Sequence, residues 1–578
     1  MGGRHSIGPW RFRYGKSDLG QRQKESGYGR TERAVSEGTE TAVGLRSLPR
    51  RQVRVTFIGV LVAMFLSSLD QTVVGTAMPR IICDLGGFSH YTWVATSYMV
   101  ASAVAIPITG KLIDLYGRKK FYLSGLIVFV LASLLCGLSN SMLQIIIFRG
   151  VQGIGAGIMM ANAFTVVGDL FPPAERGKYQ GFTSGTFGLS AIIGPTLGGY
   201  VTDVLSWHWV FFINIPLGIA LIIIFVFFFP GLRPDASKHR VDYPGLATLV
   251  LTVIPLMLAL AWGGAEYPWN SLPVVGMLVF SALMLGVFLR IESRSEEPII
   301  PLSLFQDRIV AISQLVIFLT GIGMFSAIAF IPLFFQGVLG TTATVSGNFL
   351  TPMMLGMVAG SIISGQFLSR AGGHYRIQGA IGIAIMGAGL ALLSRMTTET
   401  SYASAVVRII VTGFGLGITL PLYTIAVQNA VPYRLLGVAT SSTAFFRSVG
   451  TAVGLGALGS VMNDRLTADF VQRASPLVGN GVPRDIVTSL AHNPQLLVGP
   501  EVQQQWQNLL AQLDSQGMAV YGQLSQALRQ ALNSALSHVF LISVFILVFA
   551  FVANLFIKEI PLRRQHNTGD SGTLPAPE

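Results

Sequence analysis

Charge is what this chain lacks most. Only 11% of its 578 residues are Asp, Glu, Lys or Arg, against about 25% in an ordinary soluble domain, while 51% are hydrophobic. So little charge cannot cover a water-exposed globular surface, which excludes the soluble classes. Cysteine is nearly missing: Cys83 and Cys136 are the only two, which excludes a disulfide framework and a thiolate metal centre. Both are expected near the outer ends of apolar stretches, where a disulfide is conceivable; two unpaired small apolar residues are the simpler expectation. None of the 8 histidines stands at a metal-ligand spacing from another His, Cys or carboxylate, and no metal or other cofactor is expected. The first thirty residues hold no apolar core, so no cleavable signal peptide is expected and the first span should serve as its own targeting signal.

What is present is apolar sequence long enough to cross a hydrocarbon core of about 30 Å, again and again. Fourteen spans are predicted, the first at about 55–78, the fifth at about 180–203 and the last at about 537–558. An even number leaves both termini on one side. Lys and Arg gather before the first span, in the second–third connection (Lys111, Arg118, Lys119, Lys120), in the sixth–seventh (Arg233, Lys238, Arg240) and at the end (Lys558, Arg563, Arg564). Basic loops stay cytoplasmic, so both termini are predicted to be cytoplasmic in a cell (plasma or inner) membrane. The formal net charge of +12 is then a property of one membrane face, with anionic headgroups as its partner and no nucleic acid.

Inside the spans three charges stand out. Asp70 lies mid-way along the first, Arg149 in the fourth and Arg447 in the thirteenth. A charged side chain at the bilayer centre costs at least ~2.5 kcal/mol, and such groups face interior cavities and pair with one another or with backbone. A carboxyl whose solvent access or Arg partner changes between two states can bind and release a proton. Packing roles remain open for both arginines, which could instead hydrogen-bond helix ends.

The chain also repeats itself. Gly110 and Gly117 after the second span are matched by Gly365 and Gly372 after the tenth; Pro172 and Gly177 after the fourth are matched by Pro432 and Gly437 after the twelfth. Equal separations in both copies mark a duplication, giving a cytoplasmic tail at 1–53, an N-terminal six-helix bundle at 54–230, a linker with two extra helices at 231–308, a C-terminal bundle at 309–558 and a tail at 559–578. A long outer loop is expected at 462–536, with Leu524, Leu528, Leu532 and Leu536 at helical spacing, read as an amphipathic cap or as helix packing. The first fifty residues and the last fifteen read as disordered.

Together these residues resemble the major facilitator superfamily and, within it, the fourteen-helix drug:proton antiporters of the EmrB/QacA type, over about 54–558. The first-span motif runs Leu69-Asp70-Gln71-Thr72-Val73-Val74-Gly75 to Pro79, with Gly75 where the family typically has Asn. The loop motif is carried by Gly110, Asp114, Gly117, Arg118 and Lys119, the fourth-span motif by Arg149, Gln152, Gly153 and Gly155, and the antiporter motif by Gly194, Pro195, Gly198 and Gly199. The resemblance implies an all-α membrane protein with the major facilitator fold: two six-helix bundles and two additional helices between them. It implies proton coupling at Asp70 and Arg149, with Arg447, Gln71 and Gln152 lining the cavity. The loop motif also has a physical role open to it, since Asp114 can cap a neighbouring helix N-terminus or pair with Arg118, latching the bundles on the cytoplasmic side.

The expected function is proton-coupled efflux of hydrophobic or amphipathic compounds by alternating access, by a monomer whose partners are a lipophilic small molecule, protons and the bilayer. Some members of the family this chain resembles carry a further acid in the tenth span; here that span, 346–368, has none, so the resemblance implies neutral, lipophilic or monocationic cargo. Export of a single endogenous product, such as a lipid, siderophore or antibiotic, is the alternative; a receptor or scaffold has only the long outer loop in its favour. An enzyme would need a convergent catalytic cluster, and none is found. ATP-driven pumping fails because Trp10 stands where a phosphate loop ending in Gly15-Lys16-Ser17 requires glycine.

Overall fold

The computed structural model describes residues 49–85, 91–230, 241–264, 266–340, 350–371, 373–478 and 517–562. The expected disorder of the N-terminal tail and of the last fifteen residues, the basic residues at 233–240 and 563–564, the repeat glycine Gly372 and the segment 500–516 lie outside them.

The fold is all-helical, with no strand among the described residues; an isolated bridge joins Gly263 and Tyr267 between two helices. The helices are α1 (Arg50–Leu85), α2 (Tyr91–Tyr116), α3 (Arg118–Gly137), α4 (Met142–Leu170), α5 (Pro173–Val204), α6 (His208–Phe228), α7 (Tyr243–Trp262), α8 (Leu272–Glu292), α9 (Arg308–Val338), α10 (Leu350–Ala371), α11 (Tyr375–Leu393) and α12 (Tyr402–Ala430). Next, α13 runs over Leu436–Val453, through a π turn at Gly454–Leu458 and on over Gly459–Val478; α14 is Gly517–Leu555. Among the described residues thirteen of these are long and apolar enough to cross a membrane. The fourteenth, α5, has the length, at 32 residues, but is rich in Gly, Ser and Thr, which let it approach α1 and α10 closely.

Apolar burial divides between the two helix sets. The largest buried cluster draws only on residues between Ile309 and Leu562, and two others lie wholly within Val60–Phe229 and Leu69–Phe211. A fourth joins Val100 and Val104 of α2, Val253 and Met257 of α7, Phe288 of α8 and Ala452 of α13. The added α7–α8 hairpin therefore docks where α2 meets α13.

Two expectations about loops change. The basic second–third connection is almost entirely helical: Lys111 lies in α2, Arg118 opens α3, and Gly117 alone joins them at φ 94°. That left-handed turn is accessible without strain only to glycine. The outer loop expected from residue 462 is also shorter, since α13 continues to Val478 and α14 begins at Gly517. Leu524, Leu528, Leu532 and Leu536 are at most 3% exposed, in one buried cluster with Leu466, Phe470 and Ala474 of α13, and Arg473 Nη1 donates to Gln530 Oε1 at 3.1 Å. The leucine spacing marks helix-to-helix packing, not a surface cap. Asp464, Arg465 and Asp469 on the other face of α13 lower its apolar content, which is why apolar length alone ends the span early.

Candidate functional site

Asp70 lies within α1 with 1% of its surface exposed. Its carboxylate accepts three hydrogen bonds. Arg149 Nη1 of α4 donates to Oδ2 at 2.5 Å, and Oδ1 accepts from Gln152 Nε2 of α4 at 2.9 Å and from Asn214 Nδ2 of α6 at 2.8 Å. Arg149 and Gln152 are one helical turn apart, so both reach the same point, and Arg149 Nη1 also donates to Gln152 Oε1 at 2.8 Å. The guanidinium stacks on the Tyr98 ring of α2, 4.3 Å from its centroid; a cation over an aromatic face is stabilised where water is scarce. Behind Asn214, Ser133 Oγ of α3 accepts from Asn214 Nδ2 at 3.0 Å and donates to the Phe211 carbonyl at 2.9 Å. The acid is thus surrounded by groups from four other helices, α2, α3, α4 and α6. Three of the carboxylate's about four acceptor positions are taken by donors, and the acid form, which must also donate, needs an acceptor beside it.

Tyr98, Ser133 and Asn214 were not anticipated. Cys136, expected near the outer face, is unpaired and buried in the same cluster, its thiol 3.8 Å from Gln152 Oε1; the side chain of Cys83 lies outside the described residues. The sequence signal for Asn214 is a lone amide in the apolar run from Val210 to Ile224.

The antiporter motif sets how close α1 comes. A Cβ on Gly194 would overlap the Thr72 side chain, and one on Gly198 would overlap Thr76. Thr72 Oγ1 in turn donates to the Ser190 carbonyl of α5 at 3.2 Å. Gly199 does not share this contact, since a Cβ there would meet nothing within 4 Å. Pro195 lies between them inside α5. On α1, Gln71 reaches the Tyr98 side chain yet is exposed, and a Cβ at Gly75 would meet nothing. The side of α1 that bears Gln71 and Gly75 therefore borders open space. Arg447 is half-buried on α13, and among the described residues its guanidinium has no ion pair.

The loop motif makes a second polar centre. Asp114 at the end of α2 accepts the backbone N–H of Gly437 at 3.2 Å and of Val438 at 3.0 Å, the unpaired donors at the start of α13. The same carboxylate pairs with Arg118 at 3.1 Å. Arg118 also binds Asp169 of α4 and lies 5.8 Å from the centre of the Tyr433 ring. Asp169 and Tyr433 were not anticipated. Lys119 stands apart, its Nζ donating to the Val226 carbonyl of α6 at 2.7 Å.

Around this centre the two helix sets touch. A Cβ on Gly110 would overlap Ser441 of α13, and Gly177 of α5 and Gly365 of α10 exclude a Cβ on each other. Among the repeat glycines, Gly177 and Gly365 thus meet each other and Gly110 meets the Gly437 carbonyl, in each case across the two copies. Buried Arg176 of α5 bridges nearby, donating to the Gly168 carbonyl at 2.6 Å and to Gln428 Oε1 of α12 at 3.3 Å. Away from this face, the main packing partners of α1 are α4, α5 and α6 of its own set. No group of three His, Cys, Asp or Glu among the described residues is placed to hold a metal.

Comparison with known proteins gives this geometry a family. Residues 60–455 match the Major Facilitator Superfamily. The chain is 44% identical over 407 residues to the multidrug transporter protein MdtP of Bacillus subtilis, covering 70% of this chain and 75% of that one. It is 42% identical over 424 residues to multidrug resistance protein 3 of the same organism, covering 73% and 82%. An uncharacterised transporter of the superfamily from Mycobacterium tuberculosis is 33% identical over 522 residues, 89% of this chain and 71% of that one. The crystal structure of the human organic anion transporter MFSD10 shares the fold, with TM-score 0.55 at 14% identity, over 86% of this chain and all of the other. The chain accordingly belongs to the Major Facilitator Superfamily, among its multi-pass membrane transporters for drug efflux.

Proposed function

We propose that this transporter couples export of hydrophobic or amphipathic compounds to proton entry, with Asp70 as the proton carrier and Arg149 as the partner that takes its place on the carboxylate when the proton leaves. The observation that carries this reading is the buried Asp70–Arg149 pair, with groups from α2, α3 and α6 around it, beside open space at Gln71 and Gly75. Charge buried in a membrane protein costs stability and is kept where it works.

The two sets, 54–230 and 309–558, rock against each other as halves, with 231–308 as linker. The face holding Asp114 is cytoplasmic, so both termini are cytoplasmic and the α13–α14 extension is extracytoplasmic. Asp114, Arg118, Gly110, Gly117 and the Gly177–Gly365 contact close the inner gate in the state described. Gln71, Gln152 and Arg447 belong to the cavity wall, and Gly194, Pro195 and Gly198 hold α1 and α5 together as the cavity closes. The protein works as a monomer in the plasma membrane.

The test is reconstitution of the full chain in liposomes with an imposed pH gradient, following dye movement and lumenal pH together. Wild-type protein is expected to move dye and protons in opposite directions. Asp70→Asn is expected to insert normally and to lose gradient-driven dye movement; wild-type rates in that variant would overturn the reading.

A further inference from the structure

A carboxyl that carries a proton in one half of a cycle and none in the other needs hydrogen-bond partners in both forms. The carboxylate only accepts, whereas the acid must also donate. Arg149 can donate to an oxygen of either form but cannot accept the acid's O–H, because a guanidinium has donors and no acceptor. The groups facing Asp70 that titrate or bear charge are Arg149 from α4, Tyr98 from α2 and Cys136 from α3; α6 brings the neutral Asn214.

Two amide oxygens lie close enough to serve the acid. Gln152 Oε1 is committed, accepting from Arg149 Nη1 at 2.8 Å with the Cys136 thiol at 3.8 Å. Turning that amide over would aim its NH2 at the guanidinium, donor against donor. Asn214 is free to turn. Its Nδ2 donates twice, to Asp70 at 2.8 Å and to Ser133 at 3.0 Å, while its Oδ1 is buried without any partner. A buried amide oxygen left unpaired in a native cluster calls for an explanation. Ser133, the neighbour it bonds, is a hydroxyl and can donate or accept by rotating.

We infer that Asn214 is a proton-dependent toggle for Asp70. When Asp70 is ionised, the amide presents Nδ2–H to the carboxylate, as in the structure. When Asp70 is protonated, the amide turns half a revolution about its terminal C–C bond and Oδ1 accepts the acid O–H. The Ser133 hydroxyl follows, swinging its hydrogen from the Phe211 carbonyl to Asn214 Oδ1. The ionised form leaves Asn214 Oδ1 unpartnered; the acid form leaves the NH2 unpartnered instead, and the Phe211 carbonyl gives up the Ser133 hydrogen. No bond breaks apart from hydrogen bonds. Asn214 is therefore a positioning residue for proton transfer, and the inference rests on Asp70 as the proton carrier.

The test uses full-length protein in liposomes, measuring dye export across a series of external pH values, with dye binding and thermal stability measured separately. Asn214→Leu leaves the carboxylate two donors and removes the one free acceptor of the acid. Dye binding is expected to persist, with export at neutral pH down about tenfold, as for one buried hydrogen bond left unmade. Both forms lose one hydrogen bond, but the carboxylate keeps two donors while the acid keeps no acceptor, so the acid form loses more and the half-maximal pH of export is expected to fall, by up to about one unit. Asn214→Thr restores a group that both donates and accepts and is expected to bring the midpoint back. An Asn214→Leu profile equal to wild type, or one lowered by the same factor at every pH, overturns the toggle. Should Asn214→Leu fail to fold, an Asn214→Thr midpoint displaced as far as one unit does so. Asp70→Asn run alongside separates the two ideas: export retained there defeats the proton-carrier reading itself, whereas export lost there with an unshifted Asn214→Leu defeats the toggle alone.

Discussion

Asp114 illustrates how much one side chain can hold when it sits where two helices meet. Its two oxygens take the first free N–H groups of α13 and the guanidinium of Arg118, so it is cap and ion pair at once. Removing a capping carboxylate costs about 1 kcal/mol, roughly a fivefold change in a two-state population. Asp114→Ala is therefore expected to open this face more often. A cysteine placed at Ser441, which is 1% exposed against Gly110, should react with a thiol reagent at least severalfold faster in the Asp114→Ala background. Lys119→Ala should leave that rate unchanged, because Lys119 bonds the end of α6 instead. Both comparisons need Cys136 and Cys83 replaced by alanine.

At this scale the charged residues were legible in the sequence and the neutral ones were not. Asp70 and Arg149 announce themselves because nothing else in their spans is charged. Asn214 and Ser133 are small polar residues of the sort that any membrane helix carries. What sets them apart is their contact, across 144 residues to Asp70 and across 81 to each other, and no local pattern encodes a distance of that kind.

Among the elements, α14 shows two regimes of helix packing in one rod. Its 39 residues extend about 58 Å at 1.5 Å per residue, nearly twice the ~30 Å hydrocarbon core. Within lipid there is no hydrophobic gain in pairing helices, so small residues and close backbones do the work, as where Gly413 and Gly417 of α12 exclude a Cβ against Met353 and Met357 of α10. Beyond lipid, water returns and leucine burial stabilises. Leu528 is 3% exposed, so Leu528→Ala is expected to cost about 2–5 kcal/mol. It should lower the melting temperature in detergent while transport per folded molecule stays near wild type. A collapse of transport with unchanged melting would show that the α13–α14 extension takes part in the cycle.

Helix count and most helix positions could be read from apolar length, because a bilayer imposes it. The ends could not. They depend on partners: α13 outlasts its apolar stretch by packing on α14, and α2 runs on through Lys111 because Gly117 alone makes the turn.

As a whole molecule the protein is closed at the Asp114 face, where Gly110 meets Ser441 and Gly177 meets Gly365, and open beside Gly75. In the proposed orientation this is an outward-facing state. Gly75→Cys, in the cysteine-free background, is expected to be labelled within minutes by a membrane-impermeant maleimide added outside, whereas Ser441→Cys is protected. Equal protection at both positions would rule out the outward-facing assignment.

The sequence by itself determined that this chain crosses a membrane many times, that it is built from two related halves, and that an acid and an arginine are buried within the first. Bilayer thickness, internal repetition and the cost of buried charge are each written along the chain in order. Only the tertiary structure decided which groups surround Asp70, which of the repeat glycines touch, and which face is shut. Those facts depend on residues hundreds of positions apart being brought within a few ångströms, and a hydrogen bond is decided by that distance, not by order along the chain.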